Sequence, residues 1–329
     1  MRVDYSILVL GAALLAGCAS GFEFALIGDQ QYNAESEAQF PRLMADIDRA
    51  ALEFVVHVGD FKAGTSQLCD DKFFLSRRQQ FDASHHPFIL TPGDNDWTDC
   101  HNPKAGGFDP RERLGRLRQI FFGDSKSLGR RKLELERQPG FPENARWRRG
   151  GVLFATVHTV GDDNNLENSE EYRARNSANI AWLGEAFAFA KREQAAAVAI
   201  FTQANPRFER GYPPGRIRGT GSAPPPKKPS GFTEFLVALD KEVVAYGKPV
   251  LFMHGDTHYF RIDKPLFLTG AAGPGERGRQ IENFTRVEIY GFPEAHWLRI
   301  VVDPRDAAVF SFREQIVAAN VYRKAKEAQ

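Results

Sequence analysis

The chain has only three cysteines in 329 residues and no Cys-x-x-Cys pair, so nothing in it resembles a thiolate zinc site. Net charge is nearly absent as well. At +1 there is no global field to steer the protein to nucleic acid or to an anionic membrane. The basic stretches lack the interleaved aromatics of a single-strand binder, so no nucleic-acid partner is indicated. No long apolar run is present either. The N-terminal one, Ile7 to Ala16, falls short of the ~20 residues a permanent membrane helix needs. No internal repeat of fixed period occurs. What remains is ordinary globular composition, 42% hydrophobic and 26% charged, enough to bury a sizeable core as one large domain or two small ones. Phe dominates the aromatics, with 27 residues against 8 Tyr and 4 Trp, as in a well-packed interior.

The short apolar run matches the hydrophobic part of a secretory signal. Leu15-Ala16-Gly17-Cys18 resembles a lipobox, which would make residues 1–18 a leader and Cys18 the lipidated first residue of the mature chain. A plain signal peptide with an incidental Cys18 is the other reading. Export to the periplasm, or to the outer membrane through a lipid anchor, is the expectation. If Cys18 carries lipid, Cys69 and Cys100 are left as a pair, read in an oxidising compartment as a disulfide joining two loops.

Short β-rich runs alternate with helical spacing. Candidate strands are Phe22–Ile27, Phe54–Val58, Phe88–Thr91, Val152–Val157, Ala196–Phe201 and Val250–Met253. Candidate helices are Phe40–Leu52, Ile180–Lys191 and Phe232–Tyr246. This alternation predicts an α/β layered fold. Four later runs, Leu266–Leu268, Thr285–Tyr290, Trp297–Val302 and Ala308–Phe312, predict a second, antiparallel sheet. One domain over 19–315 is expected, with polar insertions at about 101–149 and 205–230 and a charged tail at 316–329.

Four candidate strands run into a Gly–Asp pair: Ile27-Gly28-Asp29-Gln30-Gln31, Val58-Gly59-Asp60, Pro92-Gly93-Asp94-Asn95-Asp96 and His254-Gly255-Asp256-Thr257-His258. A strand delivers each Asp to the carboxyl edge of the sheet, where sites on open α/β folds collect. Four converging carboxylates repel, and one or two divalent ions relieve that repulsion.

In this order the motifs resemble those of calcineurin-like metallophosphoesterases, over residues 21–315. The resemblance implies a layered sandwich of two central sheets flanked by helices. It also implies hydrolysis of a phosphorylated small molecule or a phosphodiester by a metal-bound hydroxide. Asp29, Asp60 and His258 keep the family's ligand types, and Asp60 matches the carboxylate that bridges two metals. Gln31, Asp94, Gln203 and Asp256 stand at ligand positions with changed side chains, Asn205 being the alternative to Gln203. The ligand set is therefore oxygen-rich, favouring Mn²⁺, Mg²⁺ or Ca²⁺ over Zn²⁺, with iron compatible.

Asn95 stands where the family has a histidine that helps the leaving group or transition state. Here it offers a hydrogen bond to a phosphoryl oxygen, and Asp96 is a second catalytic candidate that would orient the Asn95 loop. His101 is either a general acid reaching back to the site or a surface histidine. Arg261 either meets substrate phosphate or forms a plain ion pair, and His254 is either a surrogate ligand or a core residue. Three functions fit: a phosphatase or phosphodiesterase, a hydrolase of another phospho-group, or a weakened relative that binds metal or a phosphorylated ligand as an envelope module.

Overall fold

The computed structural model describes residues 21–208, 230–267 and 280–321. Cys18 and its leader, most of the basic stretch at 205–230 and the end of the tail lie outside these residues. In chain order the elements are β1 (Phe22–Ile27), α1 (Ala34–Asp48), β2 (Val55–His57), α2 (Asp71–Asp82), β3 (Phe88–Leu90) and α3 (Pro110–Phe121). There follow β4 (Glu136–Gln138), β5 (Phe141–Arg149), β6 (Val152–Thr156), α4 (Ser169–Arg192), β7 (Ala197–Phe201) and α5 (Thr233–Tyr246). The last strands are β8 (Val250–His254), β9 (Arg261–Asp263), β10 (Phe284–Glu288), β11 (Trp297–Val302) and β12 (Phe310–Gln315).

The strands form two mixed sheets flanked by helices, an α/β architecture. One sheet runs β12-β11-β1-β2-β3 and the other β4-β5-β6-β7-β8-β10-β9. Strands β1, β2 and β3 are parallel, as are β6, β7, β8 and β10. The late strands do not form a separate antiparallel sheet. β10 adds parallel to β8, while β11 and β12 extend the antiparallel edge of β1. Alternation within a strand shows which faces are buried but not which partner it joins.

The period-2 pattern of β1 explains the layering. Phe24 and Leu26 face a core shared with Phe54, Phe154, Phe201, Met253 and Val287 of both sheets. Ala25 and Ile27 face outward, against Phe40, Leu43 and Ile47 of α1 and Phe74 and Phe81 of α2. On the far side, Leu153, Val198, Ile200 and Phe252 pack against Leu183 and Phe187 of α4 and Leu236 and Leu239 of α5. The Phe residues are shared among all three cores, and those between the sheets pack ring against ring. Phe24 stacks on Phe54 at 4.9 Å, and Trp147 meets Phe54 edge-on at 5.5 Å. Each such ring contributes roughly 2–3 kcal/mol by burial.

The stretch at 101–149 is not a decoration. Leu114, Leu117, Ile120 and Phe121 of α3 complete the outer core, and β5 is an integral strand of the second sheet. Its basic side chains are held by acids, for example Arg118 by Glu143 at 2.6 Å. The start of the C-terminal tail docks too, Asn320 donating to the carbonyls of Gln39 and Ala295.

Cys69 and Cys100 form a disulfide across a sequence separation of 31. It ties the loop before α2 to the short helical turn Thr98–His101 that follows Asp94. A loop of this length predicts a loss of about 3–4 kcal/mol on removing the bridge. The double variant Cys69→Ser/Cys100→Ser is expected to shift its urea midpoint accordingly, and an unmoved midpoint would show that the loops hold without it.

Candidate metal centre

The carboxyl ends of β1, β2, β3, β7 and β8 meet at one rim, laced by backbone hydrogen bonds. Asp29 N–H donates to the Gly59 carbonyl at 2.9 Å, and Gly255 N–H to the Gln203 carbonyl at 2.9 Å. Asp29, Asp60, Asp94 and Asp256 arrive there from the four Gly–Asp motifs. Glycine is required where backbone meets carboxylate. A Cβ at Gly93 would lie 2.0 Å from Asp60 Oδ1, and one at Gly255 would lie 1.8 Å from Asp29 Oδ2. The Asp residues turn off their strands sharply: φ is 53° at Asp29, 55° at Asp60 and 83° at Asp256, with His258 at 59°. Asp and His both tolerate this left-handed region better than most residues.

Asp60 is the most contacted carboxylate. Its Oδ2 accepts from Gln203 Nε2 at 2.8 Å and from the Tyr32 hydroxyl at 3.3 Å, and its Oδ1 accepts from Asn95 N–H at 3.2 Å. Asp29 Oδ1 accepts from Asp256 N–H at 2.9 Å, with His258 Nε2 at 3.6 Å, and Asp256 Oδ2 accepts from Asn205 N–H at 3.0 Å. Burial, then the neighbouring carboxylates Asp94, Asp96, Asp29 and Asp256, push Asp60 well above the usual carboxylate range. Asp29 and Asp94 are likewise raised, first by burial and then by Asp256, although backbone hydrogen bonds partly oppose this. Burial takes Asp256 to about 6. Two fully buried oxygens, Asp29 Oδ2 and Gln203 Oε1, have no hydrogen-bond partner. Mutually repelling carboxylates with orphaned oxygens suit a hard divalent cation.

Two contributors went unseen in the sequence. Asp94, Asp99 and Asp162 each place an oxygen within 4.8 Å of the others. Asp162 belongs to the run Asp162–Asn165, four consecutive residues with φ between 48° and 59°. After glycine, Asn and Asp adopt left-handed backbone at the lowest cost. Gly161 begins this turn and donates its N–H to Asp94 Oδ1 at 3.0 Å. The signal was available: Gly161-Asp162 is a further Gly–Asp pair shortly after β6. Asp99, Asp162 and His101 line a cleft of about 1330 Å³ together with Arg207 and Ser230.

Other expected residues fall differently. The Gln31 amide nitrogen donates to Glu37 Oε2 at 2.9 Å and Gln80 Oε1 at 3.2 Å, which ties it to α1 and α2, while its buried Oε1, like that of Gln203, has no hydrogen-bond partner. Arg261 is an ion-pair residue. Its guanidinium meets Glu288 at 2.6 Å, and Glu288 in turn accepts from Thr257 N–H at 3.1 Å, so the pair holds the His258 loop. Asp96 is a clasp: it accepts N–H groups from Asp60 at 2.9 Å, Phe61 at 3.0 Å and Gly93 at 2.8 Å. Beside it the buried Lys62, another residue the motifs did not reveal, donates to the carbonyls of Ala63 and Asn95.

His101 is exposed, with Nδ1 2.7 Å from the Thr98 carbonyl oxygen. His254 belongs to the core, its Nδ1 2.8 Å from the Gly255 carbonyl oxygen. Buried His158 donates from Nδ1 to Glu143 at 2.9 Å and accepts from Trp97 Nε1 at 3.1 Å.

No family model matches the chain, and no curated protein matches it. Among solved structures it is similar to GAP50, the anchor in the inner membrane complex of Plasmodium, at 12% identity and a TM-score of 0.46, covering 93% of this chain and 90% of that one. It is also similar to a 5'-nucleotidase from Candida albicans, at 11% identity and a TM-score of 0.41, with 89% of this chain covered against 50% of that one. The third is Vacuolar Protein Sorting 29 from Cryptosporidium parvum, at 11% identity and a TM-score of 0.33, covering 90% and 97%.

Proposed function

We propose that the protein is an exported, divalent-metal-dependent phosphoric-ester hydrolase of the calcineurin-like metallophosphoesterase type. The observation that carries the reading is the convergence of Asp29, Asp60, Asp94 and Asp256 at one rim, each raised by burial and by its neighbours. Asp29, Asp60, Asp94, Gln203, Asp256 and His258 would hold the cation. A bound cation supplies positive charge against the phosphoryl oxygens. Around it Asp96 fixes the backbone of Asp60 and Gly93, Lys62 fixes that of Asn95, and the Asn95 amide is offered to the substrate. The Cys69–Cys100 disulfide supports an oxidising compartment, and Cys18 remains the proposed lipid attachment.

The test is hydrolysis of a chromogenic aryl phosphate and its bis-ester with Mn²⁺, Mg²⁺, Ca²⁺ or Zn²⁺ added singly, alongside calorimetric titration of each ion. Turnover with the harder ions is expected. The variant Asp60→Ala is expected to weaken metal binding at least about 100-fold, beyond the usual cost of losing a supporting residue. Undiminished binding would remove Asp60 from the site. Tight metal binding without turnover would favour the binding-module reading, for which the replacement of histidine by Asn95 is the relevant observation.

A further inference from the structure

Tyr32 lies three residues after Asp29, immediately beyond the first motif, and belongs to no motif. Its ring is wedged between two others: Phe292 stacks on it at 5.5 Å with an interplanar angle of 25°, and His258 lies at 5.2 Å. The β10–β11 connection backs this wall. Phe292 N–H donates to the Asp29 carbonyl at 2.8 Å, and a Cβ at Gly291 would come within 2.8 Å of the His258 ring. The phenol is therefore positioned by the same loops that place Asp29 and His258.

Three donors reach the Asp60 carboxylate among the described residues. Asn95 gives a backbone N–H, which cannot leave without moving the loop. Gln203 is fully buried and makes the shortest bond, 2.8 Å. Tyr32 makes the longest, 3.3 Å, and is partly exposed. It is the donor most readily handed from Asp60 to a ligand oxygen. Its hydroxyl is preorganised where negative charge gathers, so using it needs little rearrangement.

Resting on the phosphoester reading, we infer that Tyr32 is a catalytic residue whose hydroxyl donates a hydrogen bond to a non-bridging phosphoryl oxygen of a substrate held at Asp60. No proton is transferred in this role. Asn95 and Tyr32 then contact the phosphoryl group as two neutral donors.

The test is Tyr32→Phe in the full chain, which keeps the ring stack and removes only the hydroxyl. Four quantities are measured: urea stability, Mn²⁺ affinity, affinity of the Mn²⁺-loaded protein for inorganic phosphate, and kcat and KM on an aryl phosphate. Phosphate affinity and kcat are each expected to fall about 10- to 100-fold, as for loss of a hydrogen bond to a charged group. Mn²⁺ affinity and stability are expected to stay close to wild type. Unchanged phosphate affinity together with unchanged kcat overturns the inference. So does a tenfold or greater fall in Mn²⁺ affinity, which would make Tyr32 a support for Asp60 alone. If the wild type turns nothing over, the hydrolase reading fails by itself. Phosphate binding then still decides Tyr32, weaker binding in the variant supporting the role and absence of phosphate binding to the wild type overturning it.

Discussion

Freed of divalent cations, the protein is expected to become less stable as pH rises through about 7, and Mg²⁺ or Ca²⁺ is expected to abolish that decline. Asp29, Asp60 and Asp94 are raised well above 3.8, burial being the largest cause, and Asp96 is pushed up to about 7 against its three N–H donors and Lys62. A group whose folded pKa exceeds its unfolded value binds more protons when folded. Stability then falls with pH up to the folded pKa. The decline reaches ~1.4 kcal/mol per pH unit for each group still protonated.

Other buried groups act in the opposite sense but lower in pH. His57, held near 3 by burial and Arg77, and the lowered His158 and His254 are neutral when folded, and they cost stability as pH falls below about 6.5. Glu143 is held down at about 2 by His158 and Arg118 despite its burial, so its contribution is lost only in acid. Unfolded histidines hold protons up to about pH 7.5, and the buried Lys62, lowered by desolvation, opposes the decline at higher pH, so the carboxylates are isolated by comparing EDTA with saturating Mg²⁺ at each pH. Thermal melts in EDTA are expected to drop by on the order of 5–10 °C across the window. A cation at 100 times its Kd adds back about 2.7 kcal/mol and flattens the profile. A melting temperature that holds level or rises in EDTA would contradict the convergence of raised carboxylates.

The features the sequence exposed are those governed by local rules. Short apolar β-rich runs located β1, β6 and β7, because each strand is buried on both faces between a helical layer and the other sheet. The Gly–Asp pairs located the rim because sharp turns at strand ends need glycine. The pairing of Cys69 with Cys100 followed from compartment and parity.

What stayed hidden was decided by partners far away in the chain. Gln31 stands at a ligand position, and what the sequence does not show is that Glu37 and Gln80 hold its amide nitrogen. Arg261 stood open between phosphate and an ion pair, and Glu288 of β10 decides for the ion pair. Tyr32 and Lys62 carry no motif, and their roles appear only when Asp60, Asn95 and Phe292 are assembled around them. The partition of the late strands likewise depends on which sheet edge is free. The left-handed turn at Asp162 is an intermediate case, since its Asp-Asp-Asn-Asn composition is a local signal that four more obvious motifs overshadowed.

Asp96→Ala is expected to be the most destabilising single change at the rim. Asp96 came out of the motif pattern as a catalytic candidate, yet its carboxylate is fully buried and faces backbone. One oxygen accepts from Phe61 N–H, and the other from Asp60 and Gly93 N–H together. These three donors belong to two different strand-end loops, so Asp96 sets the distance between Asp60 and the Asp94–Asn95 turn. Alanine would orphan all three at once and strip the buried Lys62 of a neighbouring charge. Each orphaned group costs about 1–3 kcal/mol, so a loss of about 4–6 kcal/mol is expected, a large share of a typical 5–15 kcal/mol. Asp96→Asn keeps one acceptor oxygen and turns an NH₂ toward a donor, and should lose roughly half as much.

Asn95→Ala supplies the contrast. The holding contacts of residue 95 are backbone ones, its N–H to Asp60 and its carbonyl to Lys62. Stability should therefore stay within about 0.5 kcal/mol of wild type while turnover falls. Urea titrations of the three variants with and without Mg²⁺ separate the roles. A loss below about 1 kcal/mol in Asp96→Ala would mean that the loops are spaced by something else, and Asp96 would return to the list of groups facing substrate.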